Sequence, residues 1–425
     1  MRSFFSDYQH EKILTPKSAR EVQDIIKEAN KSKTPLVPVS SGTNLQDTHL
    51  PSVKGAIAVN LSQMKGIYFD PLNRNAVVEP GVTFEELEKL CKKEGLRTLT
   101  AIDVPKSASV LGTYLEMMPL YGWIKYHPWE MLTMEGFRAD GQRFATGQMA
   151  MIQDRPDKYS WGVSFAQVAR LFCQAQGTLG IITKAAVTLK AAAPKKQVLF
   201  FPCKNINQAT KALKAFMATE EPHEIFAVNK TYFAELLRHE LSASTASWTV
   251  VIVNRGLEDE EVSYKKKDMA PIAKQLGGQL QTSLKGVPEA VDRILSEIQA
   301  PGGASLHNSE QGWVPFVTVA TAKQIQACSG LFPKNSGAVI LPLQAGGCFY
   351  YQPDLRYTES EIQKTRKTYV NISMKLLRAG VSFPRPSVLI AKQVARKYQD
   401  NFKLLKSIKK VVDPENIMNP GKLGL

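Results

Sequence analysis

The chain of 425 residues contains five cysteines and no C-x-x-C pair. This spacing excludes a disulfide framework, a zinc site of the finger type and the ligand set of an iron–sulfur cluster. The sequence therefore predicts free thiols in a reducing compartment and no second redox centre within the chain. The cysteines are Cys91, Cys173, Cys203, Cys328 and Cys348.

Long apolar runs are also absent. No stretch approaches the roughly 18 uninterrupted apolar residues of a membrane span, and the first residues lack the apolar segment of a signal peptide. We therefore expect a cytoplasmic protein that reaches a membrane only through a partner. Because 44% of the residues are hydrophobic, the chain can bury at least one large core, and its length favours two domains.

Acidic residues are fewer than basic ones, 39 against 54, and the formal net charge is +15. Most lysine groups, such as Lys265–Lys267 and Lys409-Lys410, lie on stretches with an amphipathic helical pattern and are not interleaved with aromatic residues. This pattern favours solvated helix faces over a polyanion site, so we predict no nucleic-acid partner. Steering of an anionic substrate or docking of an acidic electron carrier remains the second interpretation.

Four segments carry the functional signal, and the most informative is Gln176–Thr183. Its two glycines allow the backbone to approach a flat ligand closely before a β-type pattern begins. In a second segment, residues 35–44, a short apolar strand ends in hydroxyl and amide residues. Successive backbone N–H groups in such a turn form a nest for phosphate oxygens, with Ser40, Ser41 and Thr43 as further donors.

The third segment, residues 75–87, predicts a strand, a Pro-Gly turn and a helix that begins with a capping box of Thr83 and Glu86. The fourth, residues 413–422, is a turn with two prolines in a part of the chain where most proteins fray. We expect other residues to hold this turn in place.

In this order, the four segments resemble the FAD-binding flavoproteins of the vanillyl-alcohol oxidase and p-cresol methylhydroxylase (PCMH) type, especially the glycolate oxidase and D-lactate dehydrogenase branch. The resemblance covers residues 15–190 and 380–425. It implies an α+β fold with a two-subdomain FAD-binding domain over residues 1–195. A cap would follow over residues 196–378, and a C-terminal segment over residues 379–425 would complete the flavin site.

The cap interpretation has support in the residue pattern, whose βαββα order suggests a ferredoxin-like α+β unit. The pattern predicts strands over 198–202, 224–228 and 247–255 and helices over 208–217 and 258–276. Helices are also predicted over 359–378 and 391–411.

The resemblance implies FAD, and we expect it to be noncovalent because the phosphate loop lacks the histidine through which some relatives attach the flavin. The small-residue loop would hold the pyrophosphate, residues 104–115 would pass the flavin, and residues 176–183 would contact the cofactor along its length. The implied cofactor-binding residues are Pro38, Val39, Ser40, Ser41, Gly42, Thr43, Asn44, Pro80, Gly81, Val104, Pro105, Ser109, Gly112, Thr113, Leu115, Gln176, Gly177, Gly180, Ile181, Ile182 and Asn419.

The sequence departs from this family where substrate chemistry is expected. Many relatives carry a metal-binding H-x-G-D-G-N-x-H motif, but the corresponding residues 341–351 contain no histidine, so we predict no metal site. A Glu-His-Gly sequence near the C-terminus is replaced by Pro384-Arg385-Pro386. Arg385 could therefore clamp a substrate carboxylate. The remaining candidates for acid–base or anion-binding roles are Tyr350, Tyr351, His127 and His307.

The sequence thus predicts an FAD-dependent dehydrogenase that oxidises a small hydroxy acid or related alcohol by hydride transfer to flavin N5. Electrons would leave to a quinone or to a partner such as an electron-transfer flavoprotein or an iron–sulfur subunit. One alternative is a noncatalytic FAD-binding relay subunit. Another is an aromatic-alcohol dehydrogenase with no arginine at the flavin and a pocket lined by Trp313, Phe316, Phe349 and Tyr351.

Overall fold

A computed structural model describes residues 3–42, 48–101, 104–118, 131–152, 167–299, 312–343 and 346–425. The part before residue 192 alternates short strands and helices. Its elements are β1 (Lys12–Leu14), α1 (Ala19–Ser32), β2 (Leu36–Val39), β3 (Ile57–Asn60), β4 (Ile67–Asp70), β5 (Asn75–Val78), α2 (Phe84–Lys93), β6 (Leu96–Arg97), α3 (Val110–Leu115), β7 (Met131–Phe137), β8 (Arg143–Ala145), α4 (Gly147–Met151), α5 (Ala169–Phe172), β9 (Ile181–Thr188) and β10 (Lys190–Ala191).

These strands form two main sheets, which give the two predicted subdomains. A parallel sheet has the order β1-β3-β2, and an antiparallel sheet has the order β4-β5-β9-β7-β8. The predicted helix start at Thr83 is confirmed, and α1 begins in a similar way. Ser18 accepts a hydrogen bond from the Glu21 amide at α1, and Thr83 and Glu86 form the capping box of α2.

The cap is larger than the βαββα unit predicted from the pattern. Its elements are β11 (Lys195–Cys203), α6 (Ile206–Met217), β12 (Glu224–Asn229), α7 (Lys230–Leu237), β13 (Trp248–Gly256), α8 (Asp259–Gln275), α9 (Ala290–Gln299), β14 (Gly312–Pro315), β15 (Thr318–Ala320), α10 (Ala322–Cys328), β16 (Ala338–Leu343), β17 (Cys348–Tyr357) and α11 (Ile362–Arg378).

All five elements of the predicted βαββα unit are present in the cap. Its three strands belong to a seven-stranded antiparallel sheet with the order β11-β13-β12-β16-β17-β14, and β15 also pairs with β17. The pattern missed α7, a short helix that Asn229 caps by accepting a hydrogen bond from the Tyr232 amide. The sheet is buried on both faces, against α6, α8, α10 and α11 on one side and α7 and α9 on the other.

The chain then returns to the first domain through α12 (Ala391–Lys397) and α13 (Gln399–Val412). A single helix was predicted here, but Tyr398 has non-helical dihedral angles and separates the two. The cap core includes Val394 of α12, whereas Leu405 and Ile408 of α13 pack against the core of the first domain. Phe4, which is far from the cap in sequence, also packs in the cap core.

Most helix lysines face solvent, as predicted. Lys92, Lys93 and Lys410 are exposed, but Lys409 is only 5% exposed, so the solvated-face prediction is wrong for this residue. Within the described ranges, every helix is too short or too polar to cross a bilayer.

A buried ion cluster joins the two domains. Glu224 of β12 accepts hydrogen bonds from Nε of Arg255 at 2.9 Å to each carboxylate oxygen, and Nη1 of Arg97 on β6 lies 3.1 Å from Oε1. His223 is part of the same cluster, because its Nδ1 accepts a hydrogen bond from the Arg255 amide. One carboxylate of the cap is therefore shared by an arginine from each domain.

The cluster predicts a pH dependence of stability. Burial, together with Lys265, lowers the pKa of His223 from 6.5 to about 4. Between these values the unfolded chain binds a proton that the folded chain does not, so His223 contributes stability that is lost as the pH falls from 6.5 towards 4. We expect urea unfolding between pH 7 and pH 4 to show a weaker pH dependence in His223→Gln. In the control His239→Gln, the free energy of unfolding should change with pH as it does in wild type. An equal pH dependence in all three proteins would contradict the prediction.

Candidate functional site

A cleft in the first domain contains about 940 Å³ of unfilled space, part of it open to solvent. Segments from distant parts of the sequence form its walls. The lining residues are Pro38, Val39, Ser40, Ser41, Gly42, Thr48, His49, Leu61, Pro80, Val104, Leu111, Gly112, Thr113, Leu115, Glu116, Met118, Gln176, Gly177, Gly180, Ile182 and Arg385.

The structure therefore brings most of the predicted site residues together. Fourteen predicted cofactor-binding residues and one predicted catalytic residue, Arg385, line the cleft. Four predicted residues, Thr43, Asn44, His127 and His307, lie outside the described residues. The predicted residues that are described but do not line the cleft are Gly81, Pro105, Ser109, Ile181, Asn419, Tyr350 and Tyr351.

Three of these residues support the cleft from behind. Ser109 caps α3 by accepting a hydrogen bond from the Gly112 amide at 2.9 Å. Gly81 packs so closely on the backbone that an added Cβ would stand 2.3 Å from the Ser62 oxygen. Ile181 is buried in the core between the parallel sheet and α1.

The small-residue loop leaves β2 and faces α3. Gly42 adopts a positive φ of 70°, which a residue with a Cβ rarely takes. On the opposite side, a Cβ at Gly112 would lie 2.7 Å from the Ser40 hydroxyl oxygen. The glycine at position 112 therefore lets the two segments approach, and the hydroxyl groups of Ser40 and Ser41 stand in the cleft lining.

The glycine-rich segment before β9 forms another wall of the cleft. Gln176 and Gly177 both have positive φ angles, of 51° and 71°. The Gln176 side chain donates a hydrogen bond to the Pro386 carbonyl at 3.3 Å. Nδ2 of the Asn419 side chain donates to the Gln176 backbone carbonyl at 2.7 Å. Gln176 thus connects the cofactor segment to the Arg385 loop and to the C-terminal turn.

The C-terminal turn is held in place, as the sequence predicted. Asp413 accepts hydrogen bonds from the amides of Ile417 and Met418 and from Nζ of Lys409. The same Nζ donates to the carbonyls of Met418 at 2.8 Å and Thr178 at 2.7 Å. Burial lowers the pKa of Lys409, and the Asp413 charge opposes that shift. A buried ion pair therefore joins the turn to the glycine-rich wall.

Arg385 is 1% exposed and stands in the cleft lining. Its Nε donates to Oε2 of Glu116 at 3.1 Å, and its Nη1 contacts the Met118 sulfur. A guanidinium has five N–H donors, so a single bond to Glu116 leaves others for a ligand. The two flanking prolines restrict the backbone at this position.

The tyrosine candidates lie elsewhere. Tyr350 and Tyr351 are neighbours on β17, so their side chains point to opposite faces of the cap sheet and enter different cores. The Tyr350 hydroxyl donates to Gln352, and burial raises the pKa of Tyr351. Both positions favour a packing role, and a catalytic role for either remains a prediction without geometric support.

Sequence reasoning missed several residues of the cleft. His49 lines it a few positions after the small-residue loop, and its carbonyl accepts a hydrogen bond from Nε2 of His10 at 2.9 Å. Glu116 follows α3 directly. Proximity to predicted cofactor segments was the available signal for both residues. The other lining residues that were not predicted are Thr48, Leu61, Leu111 and Met118.

The cleft suits a long ligand with a phosphate region and a flat apolar ring. Hydroxyl and glycine residues supply the polar part, and Val104, Leu111 and Ile182 supply apolar walls. Behind the glycine-rich wall, Nδ2 of Asn419 donates a hydrogen bond to the Gln176 carbonyl and so supports the wall from outside the cleft. These features fit FAD. Over the described ranges, His, Cys, Asp and Glu side chains do not gather into a potential metal site.

Close packing at Gly177 gives a prediction. A Cβ there would lie 2.4 Å from Cγ of Pro38, and the φ of 71° adds roughly 1–2 kcal/mol of backbone strain. We expect Gly177→Ala to lower the melting temperature and weaken FAD binding, measured by flavin fluorescence. Gly95→Ala is the control, because its φ is 61° but nothing lies within 4 Å of the added Cβ. Equal FAD affinity in the two variants would contradict the close-packing argument.

Comparisons with known proteins agree with this site. The model of the FAD binding domain matches residues 11–127, and that of the C-terminal domain of FAD linked oxidases matches residues 390–423. The chain is 22% identical to the glycolate oxidase subunit GlcD of Bacillus subtilis (strain 168), with 97% of this chain and 88% of the relative aligned. It is 24% identical to a D-lactate dehydrogenase of Archaeoglobus fulgidus, with 97% and 90% aligned.

The fold of the chain matches that of a solved structure. The crystal structure of p-cresol methylhydroxylase with substrate bound superposes with a TM-score of 0.84 at 20% sequence identity, covering 98% of this chain and 90% of that one. At this identity the match establishes the fold alone. The two family models cover the cleft residues from Pro38 to Met118 and the C-terminal turn, whereas the glycine-rich wall and Arg385 lie outside them. The chain therefore carries an FAD binding domain over residues 11–127 and the C-terminal domain of FAD linked oxidases over residues 390–423, on the fold of p-cresol methylhydroxylase.

Proposed function

We propose that the protein is an FAD-dependent dehydrogenase of a small hydroxy acid. The observation that carries this proposal is Arg385, a buried guanidinium in the lining of the cofactor cleft. Glu116 uses one N–H donor of this guanidinium, and the donors that remain match the planar, bidentate geometry of a substrate carboxylate. The names of the two relatives, glycolate oxidase subunit and D-lactate dehydrogenase, support the same substrate class.

The chain's own residues would bind and orient the substrate. Bound FAD would supply the acceptor for the hydride that leaves the hydroxyl-bearing carbon. Arg385 would hold the carboxylate with N–H donors that Glu116 does not use. Because the Arg385 loop is bonded to Gln176, the carboxylate and the cofactor segment would keep a fixed distance from each other.

Oxidation also requires a base for the hydroxyl proton. Two described lining residues can accept a proton, His49 and Glu116. Glu116 bonds Arg385 directly and would therefore lie beside the substrate that Arg385 binds. We expect Glu116→Gln to reduce the rate of flavin reduction more than His49→Gln does.

The aromatic-alcohol alternative required four aromatic side chains around the cofactor and no arginine. The structure places Trp313, Phe316, Phe349 and Tyr351 in the buried cores of the cap, and none of them lines the cleft. The Trp313 indole donates a hydrogen bond to Asp354 at 2.7 Å. This arrangement favours the hydroxy-acid proposal.

The first test is an absorbance spectrum followed by anaerobic addition of 2-hydroxy acids and aromatic alcohols. We expect a yellow protein whose flavin band is bleached by a 2-hydroxy acid. Bleaching by an aromatic alcohol alone would support the aromatic alternative. A yellow protein that no compound bleaches would support the relay-subunit alternative, and a protein that cannot take up FAD would exclude all three.

Arg385 provides the sharper test. We expect Arg385→Gln to retain FAD but to raise the half-saturating concentration of the hydroxy acid by about 30-fold to 1,000-fold, which corresponds to about 2–4 kcal/mol. Arg385→Lys keeps the charge but loses the planar fork, so an intermediate effect is expected. Unchanged half-saturation in Arg385→Gln would remove the basis of the proposal.

We also propose that FAD is held noncovalently. A covalent bond to the flavin would need a histidine, tyrosine or cysteine side chain. Among the described lining residues, His49 is the one residue of these three types. After acid precipitation, the flavin should remain in the supernatant. A yellow pellet in wild type that turns white in His49→Gln would show a covalent bond instead.

A further inference from the structure

Helix α13 has an outer surface that its packing does not explain. Its inner side packs Leu405, Ile408 and Val412 against the core that contains the cleft-lining residues Val104 and Ile182. On the outer side, Leu404 is 63% exposed and Val411 is 77% exposed. The two lie seven positions apart and therefore on the same side of the helix.

A second row of side chains runs beside these apolar residues. Lys403 and Lys410 are also seven positions apart, and Lys406 is exposed on the same helix. Residues 391–412 carry six exposed basic side chains and a single acidic one, Asp400. Asp400 lies 3.6 Å from Lys403 and offsets one of the six positive charges, so most of the positive charge remains.

The same helix is bonded directly to the cofactor wall. Nζ of Lys409 donates to the Thr178 carbonyl at 2.7 Å, and the neighbouring Gly177 lines the cleft. An α-helix is about 10–12 Å across including its side chains. A protein on the outer side of α13 would therefore stand about one helix diameter from the glycine-rich wall.

We propose that this outer surface, defined by Lys403, Leu404, Lys406, Lys410 and Val411, is the docking site of an acidic electron-carrier protein. The inference rests on the proposed function, which needs an outlet for electrons. Oxidation of one hydroxy acid to a keto acid releases two electrons and two protons. Two molecules of a one-electron carrier would each take one electron, and the protons would pass to solvent.

A carrier protein fits this surface better than a bilayer does. Helices that lie in a membrane interface bury a continuous apolar face in the lipid. The apolar face of α13 is already buried within the protein, and only two separated aliphatic residues remain outside. Two aliphatic contacts surrounded by lysines are typical of a transient, charge-steered protein complex.

The test uses two one-electron carriers of opposite charge: plastocyanin, which is acidic, and cytochrome c, which is basic. The flavin is reduced photochemically, so that the result does not depend on the substrate, and its reoxidation is followed by stopped flow. We expect fast reoxidation by plastocyanin that slows as salt is added. In the combined variant Lys403→Glu, Lys406→Glu and Lys410→Glu, the plastocyanin rate should fall at least tenfold and the cytochrome c rate should rise.

The control carries the same charge change on the cap, with glutamate replacing Lys211, Lys267 and Lys274, which are exposed on α6 and α8. It should stay close to wild type, and a small uncharged acceptor should reoxidise all three proteins equally. A control that loses as much rate as the α13 variant would overturn the proposal in favour of diffuse steering by the net charge.

Two further measurements separate the other outcomes. Binding of oxidised plastocyanin, measured by surface plasmon resonance, does not need a flavin and therefore distinguishes a failed docking site from a failed flavoenzyme. Sedimentation with anionic lipid vesicles tests a membrane surface. Vesicle binding that is lost in the α13 variant, with an unchanged plastocyanin rate, would overturn the proposal.

Discussion

We expect Lys409→Met to lower the free energy of unfolding by about 3–5 kcal/mol, the usual cost of breaking a buried ion pair, and to weaken FAD binding. The substitution would keep the volume of the side chain but remove the charge that faces Asp413. Asp413 would remain 1% exposed and would keep only the amide hydrogen bonds from Ile417 and Met418. The Thr178 carbonyl would also lose its partner, which places part of the loss in the cofactor wall.

The next residue offers the matched control. Lys410 is exposed, so Lys410→Met removes the same charge from the same helix without breaking a buried contact, and we expect a change within about 0.5 kcal/mol. Urea unfolding and FAD titration should be measured on both variants. A Lys409→Met protein that is as stable as Lys410→Met would show that the ion pair does not hold the C-terminal turn.

Glu224→Gln should destabilise the protein to a similar extent. Glutamine preserves the shape but leaves Arg255 and Arg97 without the carboxylate they share. Both Nη atoms of Arg255 are already buried with no partner in the part of the chain that the structure describes. Breaking a buried pair in this way typically costs about 3–5 kcal/mol, because an uncompensated charge stays buried.

The position of Glu224 at the domain junction gives a second readout. Thermal unfolding should show the loss of stability, and limited proteolysis should show faster cleavage between the domains. Glu240→Gln, an exposed glutamate of the cap, serves as the control. If the two variants unfold alike, the cluster contributes nothing to the joining of the domains.

The sequence predicted those parts of the fold that depend on local chemistry. The helix start at Thr83 needs only a hydroxyl and a carboxylate three residues apart, and the loop after β2 needs only small residues behind a short strand. Both signals are contained within about ten residues. The cofactor cleft could therefore be assembled from a few ordered segments.

Contacts between distant residues escaped prediction for the opposite reason. Arg385 was identified as a candidate, but Glu116, its partner in the cleft, is 269 positions away. Lys409 has the surroundings of a surface lysine in the sequence, and only the fold reveals that the Asp413 turn and the glycine-rich wall enclose it. The burial of Tyr350 and Tyr351 also escaped prediction, because the pattern of β17 does not show that both faces of its sheet are covered.

The C-terminal turn has a consequence for the order in which the protein matures. Its residues pair with β2, since the Leu36 amide donates to the Ile417 carbonyl at 2.7 Å, and Asn419 reaches the Thr48 carbonyl across 371 positions. Closing such a long span is slow compared with forming local structure. During synthesis the cap would be complete in the nascent chain before the glycine-rich wall gained its support. Cofactor capture is then a late event, and a ribosome stalled before residue 413 would present a folded cap beside a cleft that cannot yet retain its nucleotide.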